Sequence, residues 1–161
     1  MTDYVVCIPS YKRAELCNQK TLTMLKNNNI PKNKIYVYVA NKEEYEEYKQ
    51  ALDPKLYGHL VVGIKGLVPQ RQFIMEQFPE NKHIVFFDDD VASIDLKMSA
   101  MFKGKTLDHF FKCAFSECKK HKSYIWGVYP VFNPFFRKAR EEISTCFFGL
   151  ISLTFLAAQD V

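Results

Sequence analysis

Three consecutive carboxylates, Asp88, Asp89 and Asp90, directly follow the apolar residues 84–87 (Ile-Val-Phe-Phe). Adjacent carboxylates repel one another, so such a cluster is favourable only where something positive joins it. Hard oxygen ligands select Mg2+ or Mn2+ over softer metals, and these ions take further ligands from water and substrate phosphates. The cluster therefore predicts a divalent cation beside a phosphate-bearing ligand. The alternative is a solvated acidic turn or helix N-terminus.

Two further segments carry groups that suit a nucleotide. Residues 9–13 (Pro-Ser-Tyr-Lys-Arg) combine a proline-kinked backbone with a hydroxyl, an aromatic ring and two cations, which could contact a base and a diphosphate. An ordinary polar turn is the alternative there. Residues 66–72 (Gly-Leu-Val-Pro-Gln-Arg-Gln) place Gln70 and Arg71 in the first turn of a predicted helix, where a guanidinium and the helix N-terminus could face one anion.

The hydrophobic pattern predicts where these segments lie in the fold. Strands are predicted at residues 4–8, 35–39, 60–63 and 84–87, with a helix between each pair. Asn41 is expected to cap the second helix, with Glu44 completing a capping box. This alternation predicts an α/β fold with a mainly parallel sheet, which binds ligands at the carboxyl ends of its strands.

Beyond the carboxylates the pattern is less regular. A short strand is expected around residues 94–96, a loop at 98–104 and an amphipathic helix capped by Thr106. Strands follow at 124–128 and 146–151, and the aromatic stretch 132–136 is a candidate acceptor groove or a contact with missing chain. Cys113, Cys118 and His121 are rejected as a zinc site because the two cysteines point apart on a helix.

Bulk properties narrow the class of protein. A length of 161 residues with 48% hydrophobic residues predicts one globular domain. A net charge of +4 from scattered cations gives little support for nucleic-acid binding. Five cysteines without framework spacing predict reduced thiols in the cytoplasm. The start of the chain lacks a signal-peptide pattern, and residues 146–158 are too short an apolar run to cross a bilayer.

Three motifs together resemble the family-2-like glycosyltransferases of GT-A fold. Residues 5–13 are similar to that family's opening strand followed by Pro-[Ser/Thr]-Tyr-x-Arg. Residues 66–72 are similar to its Gly-x-x-x-x-Arg-Asn segment, with Gln72 where Asn is usual, and residues 86–90 to the strand that ends in its DXD signature. The resemblance covers residues 4–96 well and the remainder loosely. Within the family, the chain resembles the small glycosyltransferase domains of chloroviruses, which are large algal DNA viruses.

The resemblance implies a single three-layer GT-A domain over residues 1–161 that moves a sugar from a UDP-sugar to a glycan or glycoprotein acceptor with inversion. A deoxyhexose or pentose of a viral capsid glycan, transferred in the host cytoplasm, fits the narrower match. Mn2+ or Mg2+ would stabilise the departing diphosphate as a Lewis acid. The implied metal ligands are Asp88 and Asp90, with Asp90 also catalytic. The implied nucleotide-binding residues are Pro9, Ser10, Tyr11, Arg13, Arg71, Asp88 and Asp89.

Inversion also needs a carboxylate that deprotonates the acceptor hydroxyl. In relatives this base follows a glycine-containing strand that residues 147–151 resemble, and Asp160 is the acidic residue after it, with Asp95, Glu141 and Glu142 as other candidates. Poor agreement around Asp160 predicts a chain truncated on its acceptor side. Two alternatives stay open: a nucleotide-sugar-binding module without catalysis, and a sugar-phosphate nucleotidyltransferase, which would be expected to carry a glycine-rich loop that residues 9–13 lack.

Overall fold

The computed structural model describes residues 3–94, residues 106–127 and the backbone of residues 155–156. Within these residues the elements are β1 (Tyr4–Pro9), α1 (Ala14–Cys17), a π-helical turn (Asn18–Leu22), α2 (Thr23–Asn27), a 3-10 turn (Lys32–Lys34), β2 (Ile35–Val39), α3 (Lys42–Ala51), β3 (His59–Val62), α4 (Leu67–Glu76), β4 (His83–Phe86), α5 (Leu107–Lys120), β5 (Ile125–Trp126) and β6 (Phe155–Leu156).

Four parallel strands form the body of the sheet, in the order β3-β2-β1-β4. The two-residue strands β6 and β5 continue the sheet beyond β4 and are antiparallel to their neighbours. The chain therefore steps outward from β1 to β3 and then crosses back to place β4 on the other side of β1. This reversal opens a crevice at the carboxyl ends of β1 and β4, where open α/β sheets bind ligands. The predicted α/β class with a mainly parallel sheet is confirmed.

Apolar residues cover both faces of the sheet, because side chains alternate along each strand. Val6 and Ile8 belong to a core that also contains Cys17 and residues of α1, α2, α3 and α5. Val5 and Cys7 point the other way, into a smaller core with α4. Strand β1 is consequently apolar along most of its length, as expected of a strand buried on both faces.

The helix caps predicted from the sequence are present. The side chain of Asn41 accepts a hydrogen bond from the Glu44 amide at 2.8 Å. The Glu44 carboxylate accepts one from the amide of Ala40 at 2.9 Å, so the return bond of the capping box reaches one residue further back. Thr106 accepts a bond from the amide of His109 at 3.2 Å and begins α5. Each N-cap of this kind is worth about 1 kcal/mol.

Several predictions for the second half of the chain differ from the structure or lie outside it. Of the strand predicted at 124–128, the described residues 124–127 include the two-residue strand β5, and Ile94 is not part of a strand. The predictions at 95–105 and 128–154, including the strand at 146–151 and the aromatic stretch 132–136, fall outside the described residues. Among the helices that are described, none is both long and apolar enough to cross a membrane.

Candidate functional site

Backbone hydrogen bonds hold two of the polar segments at the crevice between β1 and β4. The amide of Phe87 donates to the carbonyl of Cys7 at 3.0 Å, which extends the pairing of β1 with β4 up to the residue before the first carboxylate. The amide of Ser10 donates to the carbonyl of Tyr38 at 2.9 Å and ties residues 9–13 to β2. The rigid sheet therefore positions both loops at their first polar residues.

Asp89 turns inward from the acidic turn and is 1% exposed. Its Oδ2 accepts a hydrogen bond from Ser10 Oγ at 2.6 Å. Its Oδ1 lies 3.2 Å from Nη2 of Arg13, an ionic contact that lacks the alignment of a hydrogen bond. Burial raises the pKa of Asp89, against the opposing effects of the Ser10 hydrogen bond and the Arg13 charge. The buried Asp89 side chain therefore fixes the acidic turn to the loop that follows β1.

Asp88 and Asp90 flank the buried residue and reach the surface, with side chains 26% and 48% exposed. Arg71 Nη2 donates to Asp88 Oδ1 at 3.2 Å. Arg13 Nη1 lies 3.6 Å from Asp90 Oδ2. Burial raises the pKa of Asp88, the Arg71 charge opposes this rise, and the neighbouring carboxylates add to it. Two guanidinium groups from separate segments thus supply positive charge to the acidic turn.

Tyr48 contributes to this site although its helical spacing with Tyr45 and Leu52 indicates a packing face. Its ring is buried in the core, and its hydroxyl lies 2.7 Å from Ser10 Oγ and accepts a bond from the Arg13 amide at 2.9 Å. Ser10 has one hydroxyl proton and gives it to Asp89, so Tyr48 must be the donor to Ser10. The result is a one-way chain of hydrogen bonds from Tyr48 through Ser10 to Asp89. Periodicity predicts the inward face of α3 but carries no signal for this hydroxyl contact.

Thr21 is a second residue that the sequence motifs missed. It lies in the π-helical turn and is fully buried. Its Oγ1 donates to the carbonyl of Asp88 at 2.7 Å and accepts a bond from the amide of Val91 at 2.9 Å. One hydroxyl therefore holds both sides of the acidic turn against the helical layer. Turns of this type occur often at functional sites.

The loop after β1 presents an aromatic ring to solvent. Tyr11 is 41% exposed, and the ammonium groups of Lys12 and Lys65 lie 5.4 and 5.6 Å from its ring centre. Lys12 has a φ of 54°, in the left-handed region that non-glycine residues seldom adopt. Pro9 ends β1, and the Ser10 hydroxyl is already used by the protein. Among the predicted nucleotide contacts of this loop, Tyr11 is thus an accessible one.

The accessible carboxylates suit a hard divalent cation. Asp88 and Asp90 are separated by one residue, and both side chains are partly exposed to solvent. Mg2+ in phosphate-binding sites is commonly held by one or two carboxylates, with water and phosphate oxygens as the remaining ligands. Within residues 3–94 and 106–127, no three His, Cys, Asp or Glu side chains are grouped to hold a metal ion. The base candidates Asp95, Glu141, Glu142 and Asp160 lie outside the described residues.

A shallow cleft of about 680 Å³ lies on the other side of Arg13, between the beginning of α1 and the end of α3. Glu47 and Gln50 line it, and none of the three carboxylates of the acidic turn does. We place the candidate site at the strand crevice because the charged groups converge there from three segments. The cleft is therefore a separate surface next to the candidate site.

The comparisons with known proteins add no relative to this description. No protein-family model matches the chain, and no curated protein matches it in sequence.

Proposed function

We propose that this chain is a metal-dependent glycosyltransferase that moves a sugar from a UDP-sugar to a glycan or glycoprotein acceptor. The observation that carries the proposal is the convergence of Arg13, Arg71 and three carboxylates at the reversal of strand order between β1 and β4. Open α/β sheets bind nucleotides at such a reversal. Guanidinium groups recognise phosphates, and carboxylates hold the cation that accompanies a diphosphate.

The proposal includes the GT-A architecture, which is compatible with a parallel sheet covered by helices on both faces and with an acidic turn after β4. It also includes transfer with inversion, for which Asp160 is the proposed base. The three sequence motifs support a glycosyltransferase. A nucleotidyltransferase has less support, because it would be expected to carry a glycine-rich loop after β1, and residues 9–13 contain no glycine.

Each group at the crevice has a proposed part in binding the donor. Tyr11 offers its exposed ring for stacking against the base. Arg13 and Arg71 bind the diphosphate, and Asp88 and Asp90 hold Mn2+ or Mg2+. The bound ion would stabilise the negative charge that develops on the leaving diphosphate.

The test is a calorimetric titration of UDP into the protein with Mn2+, repeated in EDTA and with two variants. We expect binding that requires the metal and is lost in Asp90→Asn, which removes a ligand charge from an exposed position. Gln50→Ala is the matched control, because Gln50 lines the neighbouring cleft and should leave UDP binding unchanged. Binding that is insensitive to EDTA and to Asp90→Asn, or binding lost in Gln50→Ala, contradicts the proposal.

The reaction products separate the three classes of function. Sugar transfer to an acceptor, or hydrolysis of a UDP-sugar, releases UDP. Nucleotidyl transfer releases pyrophosphate, and a binding module releases neither. A screen of UDP-sugars with Mn2+ should therefore yield UDP from at least one donor, and this release should stop in Asp90→Asn.

A further inference from the structure

We propose that Arg13 and Arg71 are internal counter-cations: they occupy the acidic turn in the free protein and transfer to the diphosphate when metal and nucleotide bind together. This inference depends on the proposed function and deepens it. It specifies the form of the ligand, a complex of a divalent cation with a nucleoside diphosphate, and it predicts that either component alone binds poorly.

The acidic turn is already surrounded by positive charge from the protein itself. Three carboxylates face two guanidinium groups, and each carboxylate has a guanidinium nitrogen nearby. Arg71 pairs with Asp88 at 3.2 Å, and the two terminal nitrogens of Arg13 lie 3.2 Å from Asp89 and 3.6 Å from Asp90. The position that a cation would take is thus already partly neutralised by the protein.

The ion pairs of both arginines are longer than optimal and leave room for a better partner. Charge-assisted hydrogen bonds between guanidinium and oxyanion have an optimum of about 2.7–2.9 Å, and all three contacts are longer. Arg13 is 53% exposed, so its side chain can reorient at the surface. Arg71 Nε is buried without a hydrogen-bond partner, which leaves one donor of its planar fork unused. Once the side chain moves away from Asp88, a diphosphate oxygen would satisfy this donor.

A metal ion and the two guanidinium groups compete for the same carboxylate oxygen atoms. A metal ion that arrives alone meets carboxylates already paired with cations, and it is repelled by both guanidinium groups. A diphosphate offers those groups alternative oxygens and frees Asp88 and Asp90 for the metal. Since binding free energies are reciprocal, the nucleotide must raise metal affinity by the same factor by which the metal raises nucleotide affinity.

The experiment measures Mn2+ binding without nucleotide, from the electron paramagnetic resonance signal of the free ion. We expect Arg13→Gln and Arg71→Gln each to bind Mn2+ about fivefold to tenfold more tightly than the natural protein, because a competing cation is removed. The same variants should bind UDP in the presence of Mn2+ at least about tenfold more weakly. Lys65→Gln is the matched control, because it removes a positive charge that contacts the Tyr11 ring rather than a carboxylate.

The outcomes separate this inference from the proposed function. Unchanged Mn2+ affinity in both arginine variants, with intact UDP binding to the natural protein, overturns the exchange and leaves the proposed function standing. An equal gain in Lys65→Gln also overturns it, because the effect would then be one of general charge. Failure of the natural protein to bind UDP with Mn2+ overturns both. Circular dichroism checks folding, and the two arginines lie on different elements, so either variant alone tests the exchange.

Discussion

At the scale of single residues, the phenolic hydroxyl of Tyr48 has an influence that extends beyond its own helix. It donates a hydrogen bond to Ser10 Oγ, and Ser10 in turn donates one to the buried carboxylate of Asp89. The Tyr48 hydroxyl also accepts a hydrogen bond from the backbone amide of Arg13. The hydroxyl thereby fixes both the anchor of the acidic turn and the backbone that carries one of its cations. We regard Tyr48 as a positioning residue for the candidate site.

Tyr48→Phe removes this hydroxyl and keeps the buried ring. We expect the free energy of unfolding to fall by about 1–3 kcal/mol, because the Arg13 amide loses its acceptor and Ser10 loses a donor. The affinity for UDP with Mn2+ should fall as well. Urea unfolding and calorimetry measure the two effects. Tyr4→Phe is the control, since its hydroxyl bonds Asp108 at 2.8 Å away from the crevice and its loss should affect stability alone. Unchanged UDP affinity in Tyr48→Phe would rule out the positioning role.

The sequence predicts which residue types meet at the crevice but not how each one points. Asp88, Asp89 and Asp90 are identical in chemistry and adjacent, so no pattern distinguishes the buried one from its neighbours. The turn backbone and the Ser10 hydroxyl decide this orientation. In the same way, the motifs identify Arg13 and Arg71 as cations for a ligand, whereas the structure pairs them with the carboxylates of the chain itself.

At the scale of elements, the π-helical turn Asn18–Leu22 interrupts the first helical layer where it meets the acidic turn. A π turn widens the helix by one residue, and here it contains Thr21, which contacts the backbone on both sides of the carboxylates. The helical layer thus supports the site through main-chain contacts that do not depend on the charge of the carboxylates.

Thr21→Val keeps the shape of the side chain and removes its hydroxyl. We expect a loss of about 1–3 kcal/mol in the free energy of unfolding, since the Val91 amide and the Asp88 carbonyl lose a shared partner. Affinity for UDP with Mn2+ should fall because the acidic turn is less well held. Thr23→Val is the matched control: Thr23 Oγ1 donates to the Asn18 carbonyl at 2.7 Å within the same helical segment. Equal effects of both substitutions on UDP affinity would contradict this account.

The long elements could be predicted because their patterns are local. Strands β1 to β4 and the caps at Asn41 and Thr106 follow from apolar runs and hydrogen-bonding side chains a few residues apart. Strand β5 lies within the strand predicted at 124–128 but is shorter, and the π turn and strand β6 could not be predicted in this way. Strand β6 is two residues long and pairs with β4, which lies far away in sequence, so its formation depends on tertiary contacts rather than on local propensity.

At the scale of the whole molecule, aspartate side chains at the two ends of the parallel sheet have pKa values shifted in opposite directions. At the carboxyl end, burial raises the pKa of Asp88. At the amino end, Asp3 is paired with Lys82 and with Lys34, and the hydrogen bond from Lys82 is the main cause of its lowered pKa. Ionisation of Asp88 therefore destabilises the folded protein at the carboxyl end of the sheet. Ionisation of Asp3 stabilises it at the amino end.

This difference predicts opposite pH dependences of stability. With a raised pKa, Asp88 takes up its proton at higher pH in the folded state than in the unfolded state, so folding gains stability as pH falls from neutral towards about 4. Asp88→Asn should lose this gain. With a lowered pKa, Asp3 contributes stability at neutral pH that is lost as pH falls below about 4. Asp3→Asn should therefore be less stable than the natural protein at neutral pH only. Urea unfolding across this pH range tests both, and parallel curves for all three proteins would contradict the prediction.

Two buried thiols lie on opposite faces of the sheet and can report when each face opens. Cys7 lies in the core beneath α4, and Cys17 lies in the core on the opposite face. Burial raises the pKa of both thiols, that of Cys17 to about 12, so the reactive thiolate is rare while the protein is folded. Alkylation of each cysteine must wait until its own layer detaches, and its rate reports the opening free energy of that layer. The protein thus carries a natural chemical reporter on each side of its sheet.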